Sequence, residues 1–404
     1  MKILQVNCVY NSGSTGKITY DIHNELLRQG IESVVCYGRG NKQEKSGIYK
    51  TCSEYYARIN KVRASITGVL YGGCFLSTRN LISIIKKENP DIVHLQCING
   101  YFVNIYRLIE WLKTNNVKTL LTLHAEFMYT GGCGYALDCD QWSSKEGCGY
   151  QRKCPVYRHE FNSYLDRSYT MWKRMKKAFE GFNENLVITS VSPWLMQRAK
   201  KSTILSDKEH MVVYNGVDVS TFHVYPEEKI ERKIVFHASP YFNDVIGHIK
   251  GGYYLLELAK RMPDVEFIVA GPYDIQEKIP DNVVLLGKIT DQEELAKWYS
   301  KASLTVLTSK KETFSMICAE SLCCGTPVVG FKAGAPEQIA LEQYSEFVDY
   351  GNLDMLEKTV RKWLATDKNE NIAYCAKKIY SKEVMTENYI EIYNKLIQGG
   401  NYEA

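Results

Sequence analysis

The stretch Glu312-Thr313-Phe314-Ser315-Met316-Ile317-Cys318-Ala319-Glu320, continued by Ser321-Leu322-Cys323-Cys324-Gly325-Thr326-Pro327-Val328-Val329, follows an apolar run at residues 304–308. A strand, a short polar loop and a helix opening near Phe314 aim unpaired backbone N–H groups and the positive end of a helix dipole at one place, where a phosphate is stabilised. The two glutamates add acceptors, because an ionised carboxylate takes hydrogen bonds from hydroxyl pairs such as a ribose or a hexose offers. On a helix their spacing corresponds to about 12 Å of rise and roughly 80° of rotation, which suits opposite ends of an elongated ligand. Taken alone, the same spacing fits a Glu312 that caps the helix and a Glu320 on a solvated face.

The strand-then-helix pattern recurs along the chain. Short apolar runs at residues 2–6, 33–37, 92–95, 119–123, 187–190 and 211–214 alternate with amphipathic stretches in the first half. Runs at 234–238, 266–270, 283–286, 304–308, 327–331 and 346–348 repeat the style in the second. This alternation predicts an α/β protein of parallel sheets covered by helices. A chain of 404 residues exceeds what one core usually supports. The turn-forming Asn215-Gly216-Val217-Asp218 sets a boundary, giving two doubly wound, Rossmann-like domains at residues 1–218 and 219–384. Such sheets bind ligands beyond the carboxyl ends of their strands, so two of them facing each other define a cleft.

Composition narrows the function classes. No apolar run is long enough to span a membrane, and the first strand follows Met1-Lys2 without a signal-peptide core, so a cytoplasmic location is expected. Thirteen cysteines, several inside apolar stretches, fit a reducing compartment. Residues 1–218 hold 29 Lys+Arg against 19 Asp+Glu, a net +10, whereas the remainder is net −6. The first half therefore faces something anionic, such as a phospholipid surface or a phosphorylated acceptor. Nucleic acid is not expected, since no recognition helix, zinc-finger spacing or ribonucleoprotein-like aromatic motif is present.

The stretch from Glu312 to Phe331 resembles the signature of glycosyltransferase family 4, whose paired glutamates bind the sugar donor. The resemblance implies the GT-B fold, with a cleft between two Rossmann-like domains, and a retaining transfer from a nucleotide-diphosphate sugar with no cofactor or divalent metal required. It implies that Glu312 contacts sugar hydroxyls, Glu320 the ribose, and the backbone of Phe314, Ser315 and Met316 the sugar and diphosphate. The family usually has glycine where this chain has Ser315. His237-Ala238-Ser239-Pro240-Tyr241-Phe242-Asn243-Asp244 with Lys250-Gly251-Gly252 is similar to the capsule and exopolysaccharide subgroup, in which the lysine binds the diphosphate. Ile289 then lies near the nucleobase, and the last helix, residues 383–397, returns to the first domain. The implied acceptor is a saccharide, carried on a polyprenyl diphosphate at the inner face of a bacterial membrane. A sugar-nucleotide epimerase or phosphorylase on the same fold, or a sugar-binding scaffold without turnover, are the alternatives.

Four further segments bear on function. Asn11-Ser12-Gly13-Ser14-Thr15-Gly16-Lys17 opens a helix after the first strand and offers Gly16 as a donor contact; its glycine spacing and Ile18 exclude a Walker loop. His124 ends the strand at 119–123, where it resembles a family histidine that places the reacting sugar, although a lone histidine is often structural. Cys133, Cys139, Cys148 and Cys154 lie in a glycine-containing loop that suits a structural four-thiolate zinc site, a disulfide framework or separate thiols. Residues 167–182 carry Lys173, Arg174, Lys176 and Lys177 opposite Trp172, Met175, Phe179 and Phe182. That pattern fits either a helix lying on anionic lipid or a core-facing helix with a solvated basic side.

Overall fold

A computed structural model describes residues 1–157, 161–226 and 233–399. The chain divides into two compact units, Met1–Val213 with Met385–Ala404 and Tyr214–Val384. The division falls a few residues before the expected 218, leaving Asn215-Gly216-Val217-Asp218 in the second unit.

In the first unit, β1 (Lys2–Asn7), α1 (Gly13–Arg28), β2 (Glu32–Tyr37), β3 (Ile48–Lys50), α2 (Glu54–Thr67), α3 (Phe75–Glu88), β4 (Ile92–Leu95), α4 (Ile105–Thr114), β5 (Thr119–Leu123), α5 (Ser168–Phe179), β6 (Leu186–Ser190), α6 (Pro193–Lys201) and β7 (Glu209–Val212) follow one another. The seven strands form one sheet in the order β3-β2-β1-β4-β5-β6-β7, every neighbouring pair parallel. The central strands are buried along nearly their whole length, as helices on both faces of a parallel sheet require.

The second unit runs β8 (Ile234–Ala238), β9 (Phe242–Asn243), α7 (Gly252–Arg261), β10 (Glu266–Ala270), β11 (Tyr273–Asp274), β12 (Val283–Gly287), α8 (Gln292–Lys301), β13 (Leu304–Leu307), α9 (Met316–Cys323), β14 (Val328–Phe331), α10 (Pro336–Ile339), β15 (Ser345–Val348), α11 (Leu353–Leu364) and α12 (Asn371–Tyr380). Its six-stranded parallel sheet has the order β12-β10-β8-β13-β14-β15, and β9 and β11 make a separate two-stranded pair. The α/β alternation expected from the apolar runs is thus borne out as two doubly wound sheets. The short β3, β9 and β11 were not foreseen, having too few residues for a readable pattern.

The last helix, α13 (Lys382–Gln398), carries most of its length in the first unit. Met385, Tyr389, Ile392, Tyr393 and Leu396 join the core formed by Ile3, Ile18, Ile22, Ile92, Leu120 and Val187. A buried polar chain fixes it: the Tyr393 hydroxyl lies 2.7 Å from His94 Nδ1, His94 Nε2 lies 2.7 Å from Thr122 Oγ1, and the Tyr389 hydroxyl lies 3.2 Å from the same threonine oxygen. Burial, and secondarily His124, lowers the His94 pKa to about 3, so this histidine bridges as a neutral ring.

Candidate functional site

The strand order of the second sheet reverses between β8 and β13, and in such sheets ligands bind beyond the carboxyl ends of the strands flanking that point. The loop that ends at Gly251 lies against the end of β13. Gly251 has φ +65°, and a Cβ there would stand 2.0 Å from the Thr308 carbonyl oxygen, so only glycine permits the approach. Thr308 Oγ1 donates to the Lys250 carbonyl at 3.2 Å and the Lys310 N–H to the Ile249 carbonyl at 2.8 Å. So held, Lys250 Nζ lies 2.7 Å from Glu312 Oε1, with both side chains partly exposed.

Glu312 is fixed through its own backbone. Its N–H donates to the Ala333 carbonyl at 2.9 Å and its carbonyl accepts from the Ala335 N–H at 3.3 Å. That second loop is fastened by Glu337, whose carboxylate accepts from the Ala333 and Gly334 N–H groups, each at 2.9 Å. The result is a charged pair with rigid backbones and side chains still reachable by solvent. Such a pair can admit a polyanion to the ammonium and hydroxyls to the carboxylate.

The helix α9 opens at Met316, two residues beyond the expected start. Ser315 caps it, with Oγ accepting from the Cys318 N–H at 3.4 Å, and takes φ +82° and ψ 86°. That left-handed conformation disfavours any residue with a Cβ and is one that glycine, the residue the resemblance implies here, adopts freely. Phe314 is buried with its ring 5.9 Å from that of Tyr214, while Met316 is half-buried at the helix start. The first N–H groups of a helix have no intrahelical acceptor. Glu320 lies in the second turn of α9, half-buried, and accepts from the Tyr299 hydroxyl at 3.2 Å. Burial pushes its pKa up to about 7 against the opposing Tyr299 hydrogen bond. Ile289, two residues after β12, is half-buried.

In the first unit, Gly16 lies in the first turn of α1, where an added Cβ would come within 3.0 Å of Val9 Cγ2; close packing on the loop after β1 is reason enough for glycine. His124 directly follows β5 and is buried, with Nε2 2.8 Å from Gln96 Oε1. Gln96 Nε2 in turn donates to Gln5 Oε1 at 3.1 Å, which orients the amide so that His124 Nε2 carries the proton. Burial lowers the His124 pKa to about 4, so the ring is neutral at pH 7.

Two segments of the first half left more than one reading open, and in the cysteine loop the arrangement fits separate thiols. Cys133, Cys139, Cys148 and Cys154 line one cavity of about 10 Å³, and among the described residues no three His, Cys, Asp or Glu side chains converge to hold a metal ion. Burial raises the Cys148 pKa to about 12, and that of Cys154 also rises, so with no metal bound these thiols favour the protonated form. The basic stretch at 167–182 fits the core-facing alternative: Met171, Trp172, Met175, Phe179 and Phe182 are buried, and Lys173, Arg174, Lys176 and Lys177 are exposed.

Sequence reasoning singled out Lys250, Glu312, Ser315 and Met316, which the second unit gathers around one strand end. It missed Tyr299 as the partner of Glu320, Gln96 as the partner of His124, and the bracing role of Glu337. A glutamate directly after Gly334-Ala335-Pro336 was the available signal for the last; the other two lie far along the chain from the groups they touch.

Comparison with known proteins sets the chain among glycosyltransferases. A family model described as "Glycosyltransferase Family 4" matches residues 15–221, and one described as "Glycosyl transferases group 1" matches residues 242–379. The chain is 22% identical over 429 aligned positions to the putative colanic acid biosynthesis glycosyl transferase WcaC of Escherichia coli strain K12, covering 98% of this chain and 100% of that protein. Among solved structures, sucrose-phosphate synthase from Thermosynechococcus elongatus superposes with a TM-score of 0.67 at 15% identity, covering 99% of this chain and 100% of that one. Anabaena HepE in complex with UDP gives 0.64 at 13% identity, covering 98% and 100%. These structural likenesses establish the GT-B fold. With its first half matched over residues 15–221 and the group 1 module following it, the chain belongs to Glycosyltransferase Family 4.

Proposed function

We propose that the protein moves a hexosyl group from a nucleotide-diphosphate sugar to a saccharide carried on a polyprenyl diphosphate, with retention of configuration, during assembly of a cell-surface polysaccharide. The observation that carries this proposal is the Lys250–Glu312 pair at 2.7 Å beside the start of α9. In it, the donor diphosphate takes the Lys250 ammonium and the first-turn N–H groups of α9, leaving Glu312 to accept from the sugar hydroxyls. Glu320 accepts from the ribose hydroxyls. Phe314, Ser315 and Met316 supply backbone groups to the sugar and diphosphate, Ile289 lies against the base, and Gly16 lets the α1 turn approach the donor.

Transfer breaks the bond between the anomeric carbon and the diphosphate oxygen, whose electron pair departs with the diphosphate, and forms a bond from an acceptor hydroxyl on the same face, whose proton passes to the departing diphosphate oxygen. Positive groups placed where negative charge develops lower that barrier, which is the part assigned to Lys250 and the α9 N–H groups. His124, neutral at pH 7, is assigned to hydrogen-bond the transferring sugar rather than to carry charge. The Escherichia coli relative is described as a putative colanic acid biosynthesis glycosyl transferase, which supports the polysaccharide context.

Thermal denaturation with ADP, GDP, CDP and UDP tests the donor site, because a ligand that binds only the folded state raises the melting temperature. One nucleotide is expected to stabilise the protein, and Glu320→Ala to weaken its binding by about 1–3 kcal/mol, the scale of hydrogen bonds to a charged acceptor. If none of the four shifts the transition, or the variant binds as the parent does, the assignment fails.

A further inference from the structure

Helix α2 (Glu54–Thr67) is inverted relative to an ordinary surface helix. Its inward residues are Ala57, Asn60 and Ala64, all buried, and Asn60 uses its Oδ1 to accept the Cys74 N–H at 2.8 Å. Its large apolar residues point the other way: Tyr55 is 75% exposed, Ile59 47%, Val62 60% and Ile66 59%. At about 100° per residue these four fall within a strip roughly 60° wide, opposite the buried alanines. Arg58 and Arg63 flank the strip, and Lys61 lies beyond Arg58; all three are exposed. A helix whose only task was to cover its own core would place these side chains the other way round.

The apolar surface continues past the helix. Leu76, at the start of α3, is 69% exposed, and Phe75 beside it lies under the Arg63 guanidinium at 5.4 Å. The backbone N–H of Tyr164 donates to the Ser65 carbonyl at 3.1 Å, which sets exposed Tyr164 and Leu165 at the far end of α2. From Tyr55 to Arg79 the sequence has four basic residues and no acidic one. Scattered apolar side chains on a surface need no explanation, but a continuous strip with a basic border fits one kind of partner: an anionic bilayer, whose headgroups meet the Arg and Lys side chains while Ile, Val and Leu enter the acyl boundary and Tyr stays at the interface.

We propose that the α2 strip, with the start of α3 and residues 164–165, is the surface by which this protein docks on anionic lipid. The basic face of α5 is secondary, since the apolar side of that helix is already spent in the core. This deepens the lipid-linked acceptor reading without depending on it, because vesicle binding requires no sugar transfer.

Flotation of the full-length protein with vesicles of phosphatidylglycerol and phosphatidylcholine tests the surface, with pure phosphatidylcholine vesicles for comparison. The parent is expected to float with the anionic vesicles at low salt, and to do so less at high salt as the charged part is screened. Val62→Glu with Ile66→Glu is expected to reduce binding at least tenfold, while Lys173→Glu with Lys177→Glu reduces it less than threefold. Both positions in the first variant are exposed, so its melting temperature and nucleotide-induced shift should match the parent's; that comparison separates lost docking from lost folding and from failure of the donor-site reading. Indifference of the parent to anionic vesicles, equal binding by the α2 variant, or a parent dimer that the variant turns into monomers while vesicles are ignored would overturn the proposal, the last by naming a second copy as the occupant.

Discussion

Glu320 shows how one residue combines a folding cost with the binding role proposed for it. Its pKa of about 7 stands above the ordinary 4.5 because burial disfavours the charge. Below pH 4.5 folded and unfolded chains both hold the proton and the group contributes nothing to pH dependence. Between 4.5 and 7 the folded chain holds more protons than the unfolded one, so stability falls as pH rises through this window, by roughly 2–3 kcal/mol in total. Glu320→Gln removes that dependence: its melting temperature should match the parent's near pH 4.5 and exceed it at pH 8, while its nucleotide affinity falls. Calorimetric scans across this range check it, and a variant with the parent's pH profile would show the carboxyl to be better solvated than its surroundings imply. The glutamate itself was legible from the sequence by its place after Glu312. Its raised pKa was not, since that comes from packing and from Tyr299, a residue on a different helix.

Among the elements, the alternation of apolar runs with amphipathic stretches located nearly every strand of more than three residues, because strands buried on both faces leave uninterrupted Val, Ile and Leu. Periodicity could not say which way an amphipathic helix points. In α5 the aromatic and methionine side chains turn inward, and in α2 the apolar ones turn outward, although either sequence fits either orientation. The return of α13 to the first unit was expected from resemblance, and its anchor was found only in three dimensions, in the hydrogen bond between Tyr393 and His94. Tyr393→Phe keeps the ring and strips the buried His94 Nδ1 of this partner, a loss of about 1–3 kcal/mol. Chemical denaturation should show it as a lower midpoint with an unchanged slope, and an unchanged midpoint would mean that the bond adds nothing to the docking of α13.

At the scale of the whole molecule, two doubly wound sheets divide the chain into one unit with a basic surplus and one with an acidic surplus. Ligand sites in such folds are assembled from loops at strand ends, which is why the sequence showed the individual loops around Glu312 and Lys250 but not the close approach of Gly251 to Thr308 that joins them. The central claim, that Glu312 and Lys250 form the heart of a sugar-donor site, is tested most directly by following nucleoside diphosphate release from a panel of nucleotide sugars, with parent, Glu312→Ala and Lys250→Ala. The parent should turn over one donor, faster with a lipid-linked saccharide present, and each variant should lose at least about 100-fold in kcat/KM, about 2.7 kcal/mol of transition-state stabilisation. Turnover by both variants at the parent's rate would contradict the claim.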